Sequence, residues 1–226
     1  MQNIEENLSK VYDKISAAAS KAGRLAEDVK LIAVSKTFPP EVNQVAYNAG
    51  ERRFGENKVQ DLAAKNEVLP DDIEWHMIGH LQSNKTKLAV ANAAYIHSID
   101  SVKLLQRVDR IAGELGKSPK VLLEINISGE ESKFGSDSQS AEELAAAALE
   151  CKNVEVVGLM TMAPFGAEKE ELHYVFGSLR KLRDQLEEKF GLKLPELSMG
   201  MSGDYEIAIA EGATMVRVGT SIFGRR

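Results

Sequence analysis

Hydrophobic and polar positions along this chain change period many times, and always in the same order. Ile4, Leu8, Val11, Ile15, Ala18 and Ala22 recur at steps of three or four, which predicts an amphipathic helix over 3–22. LIAVS at 31–35 is a short continuous apolar run closed by Pro39 and Pro40, and it predicts a strand buried on both faces. A helix over 41–49 follows with Gly50 as its cap, then a strand at RRFG (52–55) and a helix over 57–67. Further strand signals stand at IEWHMIG (73–79), YIHSI (95–99), KVLLEIN (120–126), VEVVGLMTM (154–162), PELSMGMS (195–202) and TMVRVG (214–219). Helical stretches separate them: 82–93, a run from a cap at Asp100 or Ser101 to Leu115, the alanine-rich 141–151, 168–190 and 204–211.

Strict alternation of strand and helix predicts a parallel sheet with crossover helices. Eight such units turning in one sense close into a (β/α)₈, TIM-like α/β barrel, here with an extra N-terminal helix. An open, doubly wound sheet is the alternative. No linker, composition break or recurring string interrupts residues 1–226, so one domain is expected.

Composition narrows the partners. A net charge of −6 does not favour nucleic acid or an anionic membrane. No run approaches ~18 apolar residues, and the N-terminus lacks the basic and apolar segments of a signal peptide. The expectation is a cytoplasmic protein. Cys151 is the single cysteine, which excludes an intrachain disulfide and reads as an ordinary half-buried thiol.

In a barrel of this kind chemistry gathers where strands end. Lys36 follows LIAVS. It is either a solvated, snorkelling side chain or an amine whose desolvation favours the neutral, nucleophilic form that attacks an aldehyde. SMGMSG (198–203) and VGTS (218–221) are small-residue turns after the seventh and eighth strands, where barrels often receive a phosphate. Arg217 stands inside an apolar strand, which is costly without a partner. It is either ion-paired, for example with Glu124, or a donor to a ligand. Asn57 caps the next helix or donates to a ligand oxygen. His76 and His80 straddle a strand end, which argues against a metal site, and Ser35 and His97 make no evident triad. Lys85 and Lys87 read as a solvated face or a second anion site. Met160 and Met162 alternate along a strand, so one faces the barrel interior.

AVSKT (33–37), FGENKVQ (54–60), WHMIGHLQSNK (75–85), GLMTM (158–162), LSMGMSGDYEIAI (197–209) and VRVGTSIFG (216–224) together resemble the pyridoxal phosphate homeostasis protein family, which is similar to the N-terminal barrel of alanine racemase. The resemblance implies that pyridoxal 5′-phosphate (PLP) is held covalently, as a Schiff base, on Lys36. It implies a phosphate cradle of Ser198, Gly200, Ser202, Gly219 and Thr220, with Arg217 at the pyridine nitrogen and Asn57 and Met160 lining the ring.

Arg217 cannot take up a proton, so it leaves the ring nitrogen unprotonated and the ring a weaker electron sink. Racemisation also needs acid–base groups on both faces of the carbanion. In the racemases one comes from a second domain, whereas this sequence ends about seven residues after the last strand signal. The expected protein therefore carries or buffers PLP in B6 and amino-acid homeostasis, without robust catalysis, as a monomer that meets PLP-dependent enzymes transiently. The alternatives are a small PLP-dependent racemase or lyase, and a regulator whose protein partner senses the cofactor.

Overall fold

A computed structural model describes residues 3–127, Gly135 and 138–224. Its elements run α1 (Ile4–Lys21), β1 (Lys30–Val34), α2 (Pro40–Asn48), β2 (Arg53–Glu56), α3 (Val59–Asn66), β3 (Glu74–Met77), α4 (Thr86–Asn92), β4 (Tyr95–Ile99) and α5 (Val102–Leu115). They continue β5 (Lys120–Glu124), α6 (Ser138–Ala148), β6 (Glu155–Met160), α7 (Lys169–Phe190), β7 (Glu196–Met201), α8 (Tyr205–Ala210), β8 (Met215–Val218) and α9 (Thr220–Phe223). The eight strands are parallel and close into a barrel in sequence order, β8 pairing with β1 through Ile32↔Arg217 and Ala33↔Val218. The open-sheet alternative is thereby excluded.

The double burial expected of LIAVS has a simple geometry. Alternate side chains of a strand point to opposite faces. Leu31 and Ala33 join the core between sheet and helices, whereas Ile32 joins an inner layer with Tyr95, Leu122, Val157, Met160 and Met215. Only a short helix follows β8, so α1 supplies the outer cover there, packing against α8, α9 and α2. Asn7 Nδ2 donates to the Ile222 carbonyl at 2.9 Å, and Arg24 Nη1 to that of Ala213 at 2.8 Å.

The differences from the expected elements have local causes. Residues 82–93 split into a 3₁₀ turn (Ser83–Lys85) and α4. The alanine-rich helix begins earlier and stops at Ala148, short of 151. Ser101, rather than Asp100, caps α5 by accepting from the Leu104 N–H. Asn57 is not a cap: Lys58 holds that position, with no side-chain hydrogen bond. The final helix α9 had no counterpart in the sequence pattern, because four residues are too few to show a period.

Beneath the end of β1 lies a polar cluster that hydropathy does not reveal, connected throughout except at Asn43 Oδ1 and Glu56 Oε2, which have no partner. Lys65 Nζ donates to Glu56 Oε1 at 2.5 Å and to the Ser35 carbonyl at 3.0 Å. Ser35 Oγ donates to the same carboxylate at 2.7 Å and accepts from Asn43 Nδ2 at 2.7 Å. All four side chains are buried. Desolvation pushes the Glu56 carboxyl up, and Lys65 and Ser35 oppose that. The cluster ties together the ends of β1 and β2 and the helices that follow them. Removing one partner leaves a buried charge without its counter-charge. Lys65→Ala is therefore expected to destabilise the fold by about 3–5 kcal/mol in urea unfolding; a loss under about 1 kcal/mol, as for a surface pair, would contradict this role.

Candidate functional site

The C-terminal rim joins residues far apart in sequence because β8 lies beside β1. Lys36 leaves β1 in a turn in which the Phe38 N–H donates to the Ser35 carbonyl at 3.1 Å. Thr37 is the third residue of that turn with φ 69°, a left-handed conformation that a β-branched residue adopts only when its surroundings impose it. The Lys36 side chain is exposed, the solvated of the two readings its position allowed. Beside it, the turn after β8 packs so closely that a Cβ on Gly219 would lie 3.1 Å from the Val34 carbonyl oxygen.

The two small-residue turns do meet, through Ser202. Its hydroxyl accepts from the Gly219 N–H at 3.2 Å and from the Ser221 N–H at 3.5 Å. Two backbone N–H groups converging on one oxygen form the arrangement that receives an anion. Thr220 is exposed at the start of α9.

The turn after β7 differs from expectation. Asp204 Oδ1 accepts from the Met201 N–H at 2.5 Å, so a carboxylate of the chain itself closes that turn. Gly200 is buried with φ 91°, and a Cβ there would lie 2.6 Å from the Ala208 Cβ. The approach of α8 and the positive φ together require glycine there. Ser198 departs furthest from its expected place. It is fully buried inside the barrel, and its hydroxyl is held by Arg217 Nη1 at 2.6 Å and His97 Nδ1 at 2.9 Å.

Arg217 is buried, as its strand position predicts, but among the described residues no ion pair joins it to Glu124, whose Oε2 has no hydrogen-bond partner. Its guanidinium instead donates to Ser198 Oγ and, from Nη2, to the Thr161 carbonyl at 2.9 Å. Desolvation lowers its pKa to about 10, against the nearby charges of Glu124 and Asp204, so it remains a cation at neutral pH. Met160 is fully buried in the inner layer at the end of β6, level with Ser198 and Glu124 across the paired strands. Asn57 is exposed at the rim, and its backbone presses on Gly79, where any Cβ would collide with it.

Other candidates resolve plainly. Among the described residues no group of three or more His, Cys, Asp or Glu gathers as for a metal. His76 is buried against His97 and Glu74, whereas His80 Nδ1 lies 3.4 Å from Asp100. Burial pushes the Cys151 thiol up to about 11, which keeps it protonated and unreactive. Lys87 is exposed and Lys85 half-buried. Sequence reasoning missed Glu124 as a chemical group. It is buried at the end of β5 with Oε2 unpartnered, and its carboxyl is pushed up to about 7 by desolvation and by Asp100.

The comparisons with known proteins agree with this barrel. The model of the alanine racemase N-terminal domain matches residues 7–226. A pyridoxal phosphate homeostasis protein of Aquifex aeolicus is 44% identical over 225 residues, covering 99% of this chain and 99% of that protein. One from Escherichia coli is 42% identical over 236 residues, covering 100% and 98%. The structure of PipY from Synechococcus elongatus with PLP bound is 41% identical, covers 98% of this chain and 100% of that one, and superposes with a TM-score of 0.87. The chain is thus a barrel of the alanine racemase N-terminal class, and within that class it belongs to the pyridoxal phosphate homeostasis protein family.

Glu124 makes stability depend on pH. Its folded pKa of about 7 lies above the ordinary 4.5, so between those values the folded state holds a proton that the unfolded state has lost. Stability therefore falls as pH rises through that window. From about pH 5 to about pH 8 the wild type is expected to lose on the order of 2 kcal/mol relative to Glu124→Gln in denaturant titrations. Parallel curves for the two proteins would refute the shift.

Proposed function

We propose that this chain binds PLP covalently through the Lys36 amine and carries or buffers it, rather than using it for rapid turnover. One observation carries the reading. Ring closure sets an exposed amine at the end of β1 beside the Ser202–Gly219–Ser221 convergence, with the buried cation of Arg217 on the adjoining strand. The names of the relatives and the PLP-bound PipY structure support it.

The donor set suits the group. PLP supplies an aldehyde for an amine, a phosphate and a basic ring nitrogen that can act as an electron sink. Lys36 would hold the aldehyde carbon. Ser202, Gly219 and Thr220 would hold the phosphate, with Gly200 and Ser198 supporting that loop from behind. Arg217 would donate to the ring nitrogen and, unable to take its proton, keep it unprotonated. Asn57 would flank the ring at the rim, and Met160 would support it from below. An exposed lysine favours exchange with solvent over the water exclusion that turnover needs. On this reading residues 1–226 act as one monomeric, cytoplasmic domain that meets PLP-dependent enzymes transiently. Among the described residues no helix is long and apolar enough to cross a membrane.

Purified protein loaded with PLP is expected to show an absorption band near the edge of the visible range, absent in Lys36→Ala. Borohydride should fix the label on the peptide containing Lys36. A Lys36→Ala protein that keeps the band, or a label elsewhere, would overturn the assignment. Exchange of amino-acid α-protons into deuterated water at ~1 s⁻¹ or faster would favour a racemase or lyase instead.

A further inference from the structure

A line of buried hydrogen bonds crosses the barrel interior from the start of β3 to Arg217. Glu74 Oε1 lies 3.1 Å from His76 Nε2, and His76 Nδ1 lies 2.9 Å from His97 Nε2. His97 Nδ1 lies 2.9 Å from Ser198 Oγ, which Arg217 Nη1 reaches at 2.6 Å. Both rings are completely buried, and Tyr95 stacks on His76 with 4.6 Å between ring centroids. Only Glu74 meets solvent, at the N-terminal face.

The two ends fix the direction of every bond between them. Arg217 can only donate, so Ser198 Oγ accepts there and has one proton to give. The Glu74 carboxylate can only accept; the hydrogen bond from His76 holds it below the usual range. Burial disfavours the charged form of both rings; Glu74 opposes this at His76 while Arg53 and Lys30 favour it, and His76 and Arg217 reinforce it at His97. Each neutral ring owns one N–H. His76 must donate from Nε2 to Glu74, which leaves its Nδ1 bare for the Nε2–H of His97. His97 Nδ1 is then bare for the hydroxyl of Ser198. With both rings neutral, no other assignment satisfies all four contacts.

We propose that Glu74, acting through His76 and His97, is a positioning residue for Arg217: a carboxylate on one face of the barrel sets the hydrogen-bond polarity that holds the guanidinium at the other. The inference deepens the proposed function, since Arg217 is there the group that meets the cofactor ring. Losing the acceptor at Glu74 would free His76 to turn its proton inward. The chain would then reverse, and Ser198 would face two donors, His97 and Arg217, with no acceptor for its own proton.

Imidazole ¹H–¹⁵N correlation spectra of the cofactor-free protein test this directly, with His76→Gln and His97→Gln used to assign the two rings. Both rings are expected as neutral Nε2–H tautomers that do not titrate across the neutral range. An Nδ1–H tautomer or an imidazolium at either ring would overturn the proposal. Glu74→Gln keeps an acceptor oxygen and should preserve both tautomers and the PLP affinity. Glu74→Leu should change the tautomers and weaken PLP binding about tenfold, the loss of one net hydrogen bond. Equal behaviour of the Gln and Leu variants would also overturn it. If Lys36→Ala leaves PLP binding intact, the functional reading fails, and the ring spectra still decide the polarity of the chain.

Discussion

Everything at the rim depends on β8 pairing with β1. That ladder joins residues about as far apart as the sequence allows, and it sets Lys36 and Arg217 on neighbouring strands. Its cover is equally non-local, because α1 supplies the outer helix that the short α9 cannot. Parallel pairing between distant segments gains nothing until the intervening chain is ordered. The site therefore exists only in the closed barrel; no local fragment holds the amine, the converging N–H groups and the cation together.

The interior that supports this rim is not uniformly apolar. Two buried polar assemblies run through it, one under the end of β1 and one from Glu74 to Arg217. Burying such groups is unfavourable unless each donor and acceptor finds a partner, and well-packed hydrocarbon is often as stable. What the polar assemblies add is direction. A methionine in place of Ser198 would fill space, but it would not tell a guanidinium which way to face.

The strands were legible from the sequence because a strand buried on both faces must be a short apolar run, and eight such runs alternate with helical periods. The same property hid the site. In a strand like PELSMGMS nothing in the residue types says which side chains point inward, so Ser198 read as part of a small-residue turn. The twist and register shift of β7 against β8 decide that question. Gly200 read only as part of a turn that approaches a ligand; that the α8 residue Ala208 also crowds it depends on tertiary packing. Arg217 was legible as a problem, a charge in an apolar strand, but its solution required His97, Ser198 and Thr161 from three other parts of the chain. His76 and His97 carried one usable signal: each is a polar residue inside an apolar run.

Gly79 bears on how such a scaffold changes over time. Rim loops of this architecture are often treated as interchangeable parts, each free to lengthen or be swapped without disturbing its neighbours. Here the backbone around Asn57 fills the space a side chain at 79 would need, so these two connections are interlocked. A graft or insertion in one alters the other, and the pair must be exchanged as a single module.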